Sequence, residues 1–324
     1  MPTTDNTPVE YTIFLMVTSS LLLFIIPSLI VLRMYSAQIY DAVIIHMTAT
    51  WYHDVLLKIS HIILKQRNDA TTKAEKDQIK PYRLLDIGIG TASALIQKKE
   101  AVVAMGIQVV GVDYNGEYVK AAQISLKKNN LDNQVQVHCC SIYEAKVVDK
   151  IVKEEGKFDA AYFSGSFSLM PNPVEALHVA ASYVKKGGFI YISQTFQKRN
   201  VPCLSCIKPL MKHITTIDFG QLYFEKQLEE DLKQSKYEII ENKKIPDSVD
   251  NAFQAARSVV LKVAWSTFYM WKKKKIVHAL SYTICYLAKK VIFLICFFES
   301  IYLNVLSNNV KYLVGTLNAN NKWN

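Results

Sequence analysis

Four residues in the middle of the chain have types and spacing that suit a nucleotide-like ligand. Asp86, Gly88 and Gly90 alternate within the stretch LLDIGIGTASAL. Glycines at this spacing let the backbone approach a ligand closely, and a helix that begins near Thr91 would offer it unpaired N–H groups. Asp113 follows in VVGVDYN, where a carboxylate at the end of the next strand can accept both hydroxyls of a ribose. The combination predicts a site for an adenosine-type ligand.

The spacing also distinguishes between types of cofactor. A dinucleotide site uses G-x-G-x-x-G to hold a pyrophosphate, whereas Ser93 takes the third place here. Asp86 precedes the first glycine by two positions, where a carboxylate would repel a pyrophosphate but can organise a loop around an amino-acid ammonium group. The sequence contains neither the phosphate-binding pattern G-x-x-x-x-G-K-S/T nor the nucleophile elbow G-x-S-x-G. These observations disfavour a nucleoside triphosphate as the ligand, and they disfavour a serine-hydrolase mechanism.

These motifs resemble those of class I S-adenosylmethionine-dependent methyltransferases. In that family an acid followed by glycines at alternating positions opens the cofactor site, and Asp86 with the two glycines after it matches this pattern. Ala92 stands where a third glycine is common, and its side chain should crowd the loop slightly. Asp113 matches the acid that binds the ribose. The resemblance covers about residues 80–195 and implies S-adenosyl-L-methionine as the cofactor.

The resemblance also implies further residues that hold the cofactor. Many members carry an acid for the adenine amino group after the third strand, but Cys139, Cys140 and Ser141 stand there in this chain. Ser141 or a backbone group would have to make that contact. The loop after the fourth strand faces the acceptor in the family. The cofactor-binding residues predicted in this way are Asp86, Gly88, Gly90, Thr91, Asp113, Tyr114, Ser141, Ile142 and Ser164.

Catalytic residues are harder to predict, because methyl transfer from a sulfonium is an in-line displacement. Alignment provides much of the rate, and a general base is needed only if the acceptor must lose a proton. A helical segment before the first strand and the loop after the fourth strand hold the candidates. These are Tyr40, His46, Tyr52, His53, Ser164 and Ser166. For the two histidines, which share a helical face, a structural or solvent-facing imidazole is the commoner role.

The middle of the chain alternates short β-branched runs with amphipathic stretches, which is typical of a sheet wrapped by helices. We expect an α/β fold, a Rossmann-like doubly wound sheet of seven strands of the methyltransferase type. Five parallel strands come first, and two further strands after a helix at 225–235 close the sheet as an antiparallel edge. The predicted strands are 82–87, 108–112, 135–140, 158–163, 189–193, 237–241 and 258–263. The other predicted helices are 91–104, 117–129, 144–153 and 174–184.

The N-terminal flank predicts a transmembrane helix. Residues 11–32 carry no formal charge, and 22 helical residues at about 1.5 Å each cover a hydrocarbon layer of about 30 Å. No basic residue precedes this stretch and Arg33 follows it, so a persistent single-pass anchor with the catalytic domain in the cytosol is expected. A buried core helix is the alternative, which the lack of a polar stripe disfavours.

The C-terminal flank predicts membrane association of another kind. Residues 271–324 carry eight lysines against one acid, out of a formal net charge of +10. Their two apolar segments, 276–288 and 291–306, are shorter than the usual span of about 20 residues. Helices that lie on an anionic membrane surface fit this pattern better than two crossings. Nucleic-acid binding is the rival explanation, and it is not expected because aliphatic residues interrupt the basic runs.

Cysteine usage predicts neither disulfides nor a metal site. A cytosolic domain keeps its six cysteines as thiols. Cys203 and Cys206 form a single C-x-x-C pair, and a structural zinc site usually needs two such pairs. The expected domains are 1–33, the transmembrane anchor; 34–80, a helical lead-in and linker; 81–265, the methyltransferase domain; and 266–324, basic hydrophobic membrane-associated helices.

Attachment to a membrane at both ends points to an acceptor that resides there. The expected function is S-adenosylmethionine-dependent methylation of a lipid or another hydrophobic acceptor, with membrane lipids as partners. A membrane-tethered protein methyltransferase and a non-catalytic membrane scaffold with the same fold are the alternatives. The loop after the fourth strand lacks the motif of enzymes that methylate amino groups of nucleic-acid bases. The sequence does not indicate the oligomeric state, the organelle or the acceptor atom.

Overall fold

The computed structural model describes residues 45–69, 80–201 and 222–264, with scattered positions between 16 and 34. All of them belong to the first of two units into which the chain divides, residues 1–268. None of the helices in this described part is both long and apolar enough to cross a bilayer. The predicted C-terminal helices, Tyr40 and the C-x-x-C pair lie outside the described residues, as does most of the predicted N-terminal anchor.

A mixed sheet of seven strands forms the centre of the fold, as predicted. The strand order is β3-β2-β1-β4-β5-β7-β6. The first five strands run parallel, whereas β7 pairs antiparallel with both β5 and β6. The strands are β1 Arg83–Ile87, β2 Gln108–Asp113, β3 Val135–Cys139, β4 Phe158–Ser164, β5 Val184–Gln197, β6 Glu238–Lys244 and β7 Gln254–Lys262. The carboxyl ends of β1, β2, β3, β4 and β5 therefore lie along one edge of the sheet, which we call the carboxyl edge.

Helices alternate with the strands and cover both faces. They are α1 His46–Asp69, α2 Ser93–Ile96, α3 Lys99–Met105, α4 Gly116–Lys128, α5 Lys146–Glu155, α6 Pro173–Tyr183 and α7 Glu225–Ser235. Apolar residues of α1, α2, α3 and α4 pack on one face of the sheet. Those of α5, α6 and α7 pack on the other. This arrangement is the doubly wound architecture that the alternating pattern predicted.

Two elements differ from their predicted bounds. The single helix expected at 91–104 starts later, at Ser93, because Ala92 adopts the left-handed conformation. It is broken into α2 and α3 because Lys98 leaves helical geometry with φ −110° and ψ 20°. Strand β5 extends to 14 residues on both sides of the predicted 189–193. The extension to Gln197 is possible because β7 pairs with β5 along nine consecutive positions from Phe189, which a single-strand pattern does not reveal. At the other end, Val184 pairs with Phe158 of β4.

Helix α1 is fixed to the sheet by a partly buried cation as well as by apolar contacts. The ammonium of Lys58 lies 2.7 Å from a carboxylate oxygen of Glu241 in β6 and donates to the hydroxyl of Ser258 in β7 at 2.7 Å. It also pairs with Asp54 one turn earlier. Ile59 and Val55 are completely buried beside it. The lead-in helix is therefore an integral part of the domain.

Candidate active site

A cavity of about 690 Å³ lies at the carboxyl edge, within the size range of small-ligand sites. The turns after β1, β2, β3 and β4 contribute its walls. This is the point at which the strand order reverses, since β2 and β4 flank β1. Open α/β sheets bind ligands at such a switch point. The predicted cofactor motif and the cavity therefore coincide.

Asp113, the last residue of β2, connects two of these turns. One carboxylate oxygen accepts from the backbone N–H of Gly90 at 2.9 Å, and the other accepts from the N–H of Asn115 at 2.9 Å. Burial raises the pKa of Asp113, and these two hydrogen bonds oppose the rise. Each oxygen retains acceptor capacity toward the cavity. The carboxylate can thus hold the glycine turn in place and accept hydroxyls of a ribose.

The two predicted glycines take part in the cavity for different reasons. Gly88 has φ +77°, and a Cβ on it would lie 2.4 Å from the Cβ of Ser166. Gly90 has φ +61°, and a Cβ on it would meet no atom within 4 Å. The first glycine therefore permits close packing of the turn after β4, and the second leaves space open at the ligand side.

The residues after Gly90 differ from expectation. Ala92 has φ 57° and ψ 9°, a left-handed conformation that costs a non-glycine residue about 1 kcal/mol, so the predicted crowding takes the form of backbone strain. Helix α2 starts at Ser93 instead of Thr91 and has four residues. The hydroxyls of Thr91 and Ser93 lie 2.8 Å apart. Thr91 is not among the residues that line the cavity.

Asp86 lies below the cavity and does not line it. Its side chain is completely buried, and neither carboxylate oxygen has a hydrogen-bond partner within the described ranges. Burial, with a smaller contribution from Asp113, raises the pKa of Asp86 well above its ordinary value. In the sheet it pairs with Tyr162 of β4, whose hydroxyl is also buried without such a partner. A bound water is the ordinary solution for groups of this kind.

The turns after β2 and β3 form the end of the cavity where an adenine would lie. Tyr114 lines it with a side chain that is 66% exposed. Ile142 presents a buried aliphatic side chain to the same space. Ser141 caps the short 3-10 turn, since its hydroxyl accepts from the N–H of Tyr143 at 3.4 Å. All three predicted residues of this region therefore border the cavity.

The turn after β4 forms the opposite wall. Ser164 and Ser166 both line the cavity, but the hydroxyl of Ser166 donates to the carbonyl of Ile87 at the end of β1. Ser166 is thereby engaged in joining the ends of two strands. Leu169 and Met170 continue this wall with apolar side chains.

The remaining catalytic candidates lie in helix α1 or before it, and their surroundings differ. Tyr52 is buried and contacts the ring of Tyr162 edge-on, with 5.0 Å between ring centroids, and it does not line the cavity. His53 is exposed to solvent. His46 is the first residue of the helix, and Tyr40 lies outside the described residues.

Sequence reasoning missed several residues that line the cavity. Asn115 caps α4 by accepting from two backbone N–H groups, a role that an asparagine directly before a helix can indicate. Tyr118, Tyr143 and Met170 also line the cavity. Their positions depend on how the turns fold over the sheet edge, and no local pattern marks them.

The residues present fit S-adenosylmethionine. Asp113 offers acceptors for ribose hydroxyls, Gly90 leaves room for close backbone approach, and Tyr114 with Ile142 offers surfaces to an adenine ring. Among the described residues, no lysine or arginine lines the cavity, which suits a positively charged sulfonium. The fold and this site define an α/β enzyme that binds an adenosine cofactor.

Comparison with known proteins places the chain in a family. The profile described as methyltransferase domain matches residues 79–257, more than half of the chain. The protein therefore belongs to the methyltransferase domain family. This domain is an S-adenosylmethionine-dependent methyltransferase domain, as predicted, with S-adenosylmethionine as its cofactor.

Curated relatives and solved structures are similar over parts of the chain. A ubiquinone biosynthesis O-methyltransferase of Xanthomonas campestris pv. campestris is 31% identical over 112 residues, 34% of this chain and 42% of the relative. The chain thus spans less than half the length of the curated relatives it matches. A putative sarcosine dimethylglycine methyltransferase from Galdieria sulphuraria is 12% identical with a TM-score of 0.44, covering 57% of this chain and 79% of that one. A geranyl diphosphate C-methyltransferase from Streptomyces coelicolor A3(2) is 10% identical with a TM-score of 0.44, covering 56% and 73%.

Proposed function

We propose that the protein is a membrane-anchored methyltransferase that transfers the methyl group of S-adenosylmethionine to a hydrophobic, membrane-resident acceptor. The observation that carries the proposal is a helix with apolar side chains turned outward. Among the described positions between 16 and 34, Leu23, Phe24 and Ile30 are 73%, 77% and 54% exposed. Each such side chain gains about 1.5 to 3 kcal/mol when it leaves water completely. A bilayer around this helix would supply that environment.

The wall of the cavity that faces the acceptor side supports a hydrophobic substrate. Leu169, Met170 and Pro171 follow the turn after β4 and line the cavity. The hydroxyl of Ser166 is already engaged with Ile87, so of the two serines named in the cavity wall Ser164 is the one proposed to offer a polar contact. Such a wall suits an aliphatic or isoprenoid body with one polar group.

An oxygen atom is the proposed methyl acceptor. The support for oxygen is the partial similarity to relatives named for O-methylation in ubiquinone biosynthesis. Within the described turn after β4, the side chains that could orient a hydroxyl acceptor are those of serines.

The chain's own residues contribute to the reaction mainly by binding and alignment. S-adenosylmethionine supplies, when bound, a methyl group on a positively charged sulfur. Asp113 binds the ribose and fixes the turn at Gly90 through the same carboxylate. Ser166 holds the turn after β4 against the end of β1. Fixing both turns restricts the cofactor and the acceptor to one relative geometry, which is the main source of rate in an in-line displacement.

A methyl-labelling experiment tests the acceptor. Full-length protein in vesicles that contain a total lipid extract is incubated with cofactor carrying a tritiated methyl group. We expect label in the organic phase, and none with the Asp113→Ala variant. Label confined to proteins or to water-soluble products would overturn the hydrophobic acceptor. Flotation of the protein with the vesicles, compared with a variant in which Leu23, Phe24 and Ile30 are serine, tests the anchor separately.

A further inference from the structure

Two exposed aromatic side chains lie on either side of the cavity at the carboxyl edge. Tyr114 directly follows β2, and Phe253 directly precedes β7 at the point where Gln254 pairs with Gln197, the last residue of β5. Their side chains are 66% and 52% exposed. Strands β1, β4 and β5 separate β2 from β7, so the two aromatic positions are separated by about 19 Å across the sheet at 4.8 Å per strand, and Phe253 projects farther along the strand direction. The turns after β1 and β4, which line the cavity, lie between them.

The N-terminal chain enters the domain at this same edge. A Cβ on Gly165, in the turn after β4, would lie 3.2 Å from the indole of Trp51 in the second turn of α1. The indole N–H donates to the hydroxyl of Ser248, in the connection between β6 and β7, at 3.0 Å. The start of α1 therefore lies beside the cavity.

The distance from the proposed anchor to this edge is limited by the chain. Met34 is helical and 71% exposed, and α1 begins at His46. Twelve residues span at most about 43 Å when fully extended. The carboxyl edge must remain within that reach of the anchor. The opposite edge is farther from the start of α1, since the nine residues of β7 alone rise about 30 Å along the sheet.

We propose that the carboxyl edge is a membrane-docking surface, with the bilayer as its partner, Phe253 as the residue that enters the interface and Tyr114, which also lines the cavity, at its border. This inference rests on the proposed membrane anchor. Aromatic side chains are enriched where membrane meets water, because their apolar bodies leave water there. Arg199, exposed two residues beyond β5, adds a cation suited to anionic headgroups. A cavity held against the bilayer receives an amphiphilic acceptor without passage through water.

Fluorescence quenching by lipid measures this orientation. A tryptophan is introduced at Phe253 (Phe253→Trp) or at Val103 (Val103→Trp), and the signal of the parent chain is subtracted. Val103 is the matched control because it is also 52% exposed and lies five residues before β2, near the other edge. The full chain is reconstituted in vesicles of phosphatidylcholine and phosphatidylserine with brominated acyl chains. We expect quenching at position 253 to be several times that at position 103.

The outcomes separate this surface from the anchor. Flotation of the parent chain with the vesicles reports the anchor independently of either substitution. Flotation with equal quenching at positions 253 and 103, or with stronger quenching at 103, would overturn the docking surface and leave the anchor standing. Failure to float would overturn both. Brominated detergent micelles provide a further comparison. If quenching at position 253 exceeds that at position 103 in the vesicles but not in the micelles, this result would also support the bilayer as the partner.

Discussion

The cofactor side and the acceptor side of the cavity are built in different ways. On the cofactor side, Asp113 accepts from the backbone N–H of Gly90, a residue 23 positions earlier. On the acceptor side, the indole of Trp51 contacts the turn at Gly165 and donates to Ser248, 197 positions later. One side is encoded within two consecutive strands and their turns, and the other depends on the complete fold. Substitutions should therefore separate cofactor affinity from methyl transfer.

The largest effect is expected for Asp113→Ala. The variant loses the acceptor for two backbone N–H groups and for the ribose, and hydrogen bonds to a charged group contribute about 1.5 to 3 kcal/mol each. Affinity for S-adenosylmethionine should fall by at least about 100-fold, measured by calorimetric titration. Asp132→Ala, an exposed carboxylate just before β3, is the matched control and should bind normally. Equal binding by both variants would contradict the assignment of Asp113.

Gly88→Ala is expected to have the next largest effect, here on stability. The new Cβ would lie 2.4 Å from that of Ser166 at a backbone φ of +77°, and the overlap with the strain should cost about 3 kcal/mol. Gly90→Ala shares the positive φ but meets no atom, so it should cost about 1 kcal/mol. Thermal or denaturant unfolding compares them. Ser166→Gly should recover part of the loss caused by Gly88→Ala but none of that caused by Gly90→Ala.

Low pH should destabilise the fold through a buried histidine that belongs to neither side of the cavity. Burial lowers the pKa of His178 from 6.5 to about 4, and its Nδ1 lies 2.9 Å from the hydroxyl of Tyr237. Because the folded state disfavours the charged form, the stabilisation is complete above pH 6.5 and is lost as the pH falls toward 4. Unfolding free energies measured across this range should decrease less steeply in His178→Gln. An unchanged slope would show that another group causes the acid response.

Trp51→Phe tests the acceptor side alone. The ring is kept while the hydrogen bond to Ser248 is lost, at a cost of about 1 kcal/mol. Methyl transfer should fall several-fold, with cofactor affinity unchanged within about twofold. Ser248→Ala should reproduce this result, and the double variant should be no worse than either single one. A matching loss of cofactor affinity would show that the two sides are not independent.

The smallest effect is expected for His53→Ala, because this side chain faces solvent. Activity and stability should both change by less than about 0.5 kcal/mol, as for other exposed positions. A loss of methyl transfer without a loss of stability would restore His53 as a catalytic candidate.

The contrast between a cofactor side encoded by two consecutive strands and an acceptor side that depends on the complete fold explains what the sequence could predict. Asp86 and Asp113 both come at or near a strand end, and their spacing to the glycines was enough to place the cofactor site. The sequence did not distinguish the buried Asp86 from Asp113 at the cavity, because that difference arises from the packing of α1 over the sheet. Tyr52 was a catalytic candidate and is a core residue. No local pattern indicated that its neighbour Trp51 lies beside the turn after β4. Seven strands followed from alternation, but the length of β5 required knowledge of its partner.

The chain enters this domain at one end of the sheet and leaves it at the other. Helix α1 starts beside Gly165 at the carboxyl edge, and β7 ends at Lys262, which pairs with Phe189 near the opposite edge. A mechanical force between the two ends would pull along β7, parallel to the strands. Its hydrogen bonds to β5 and β6 run across that direction, so they would be loaded in shear and would have to break together. Pulled in this direction, the domain should resist extension far better than a hairpin opened one bond at a time.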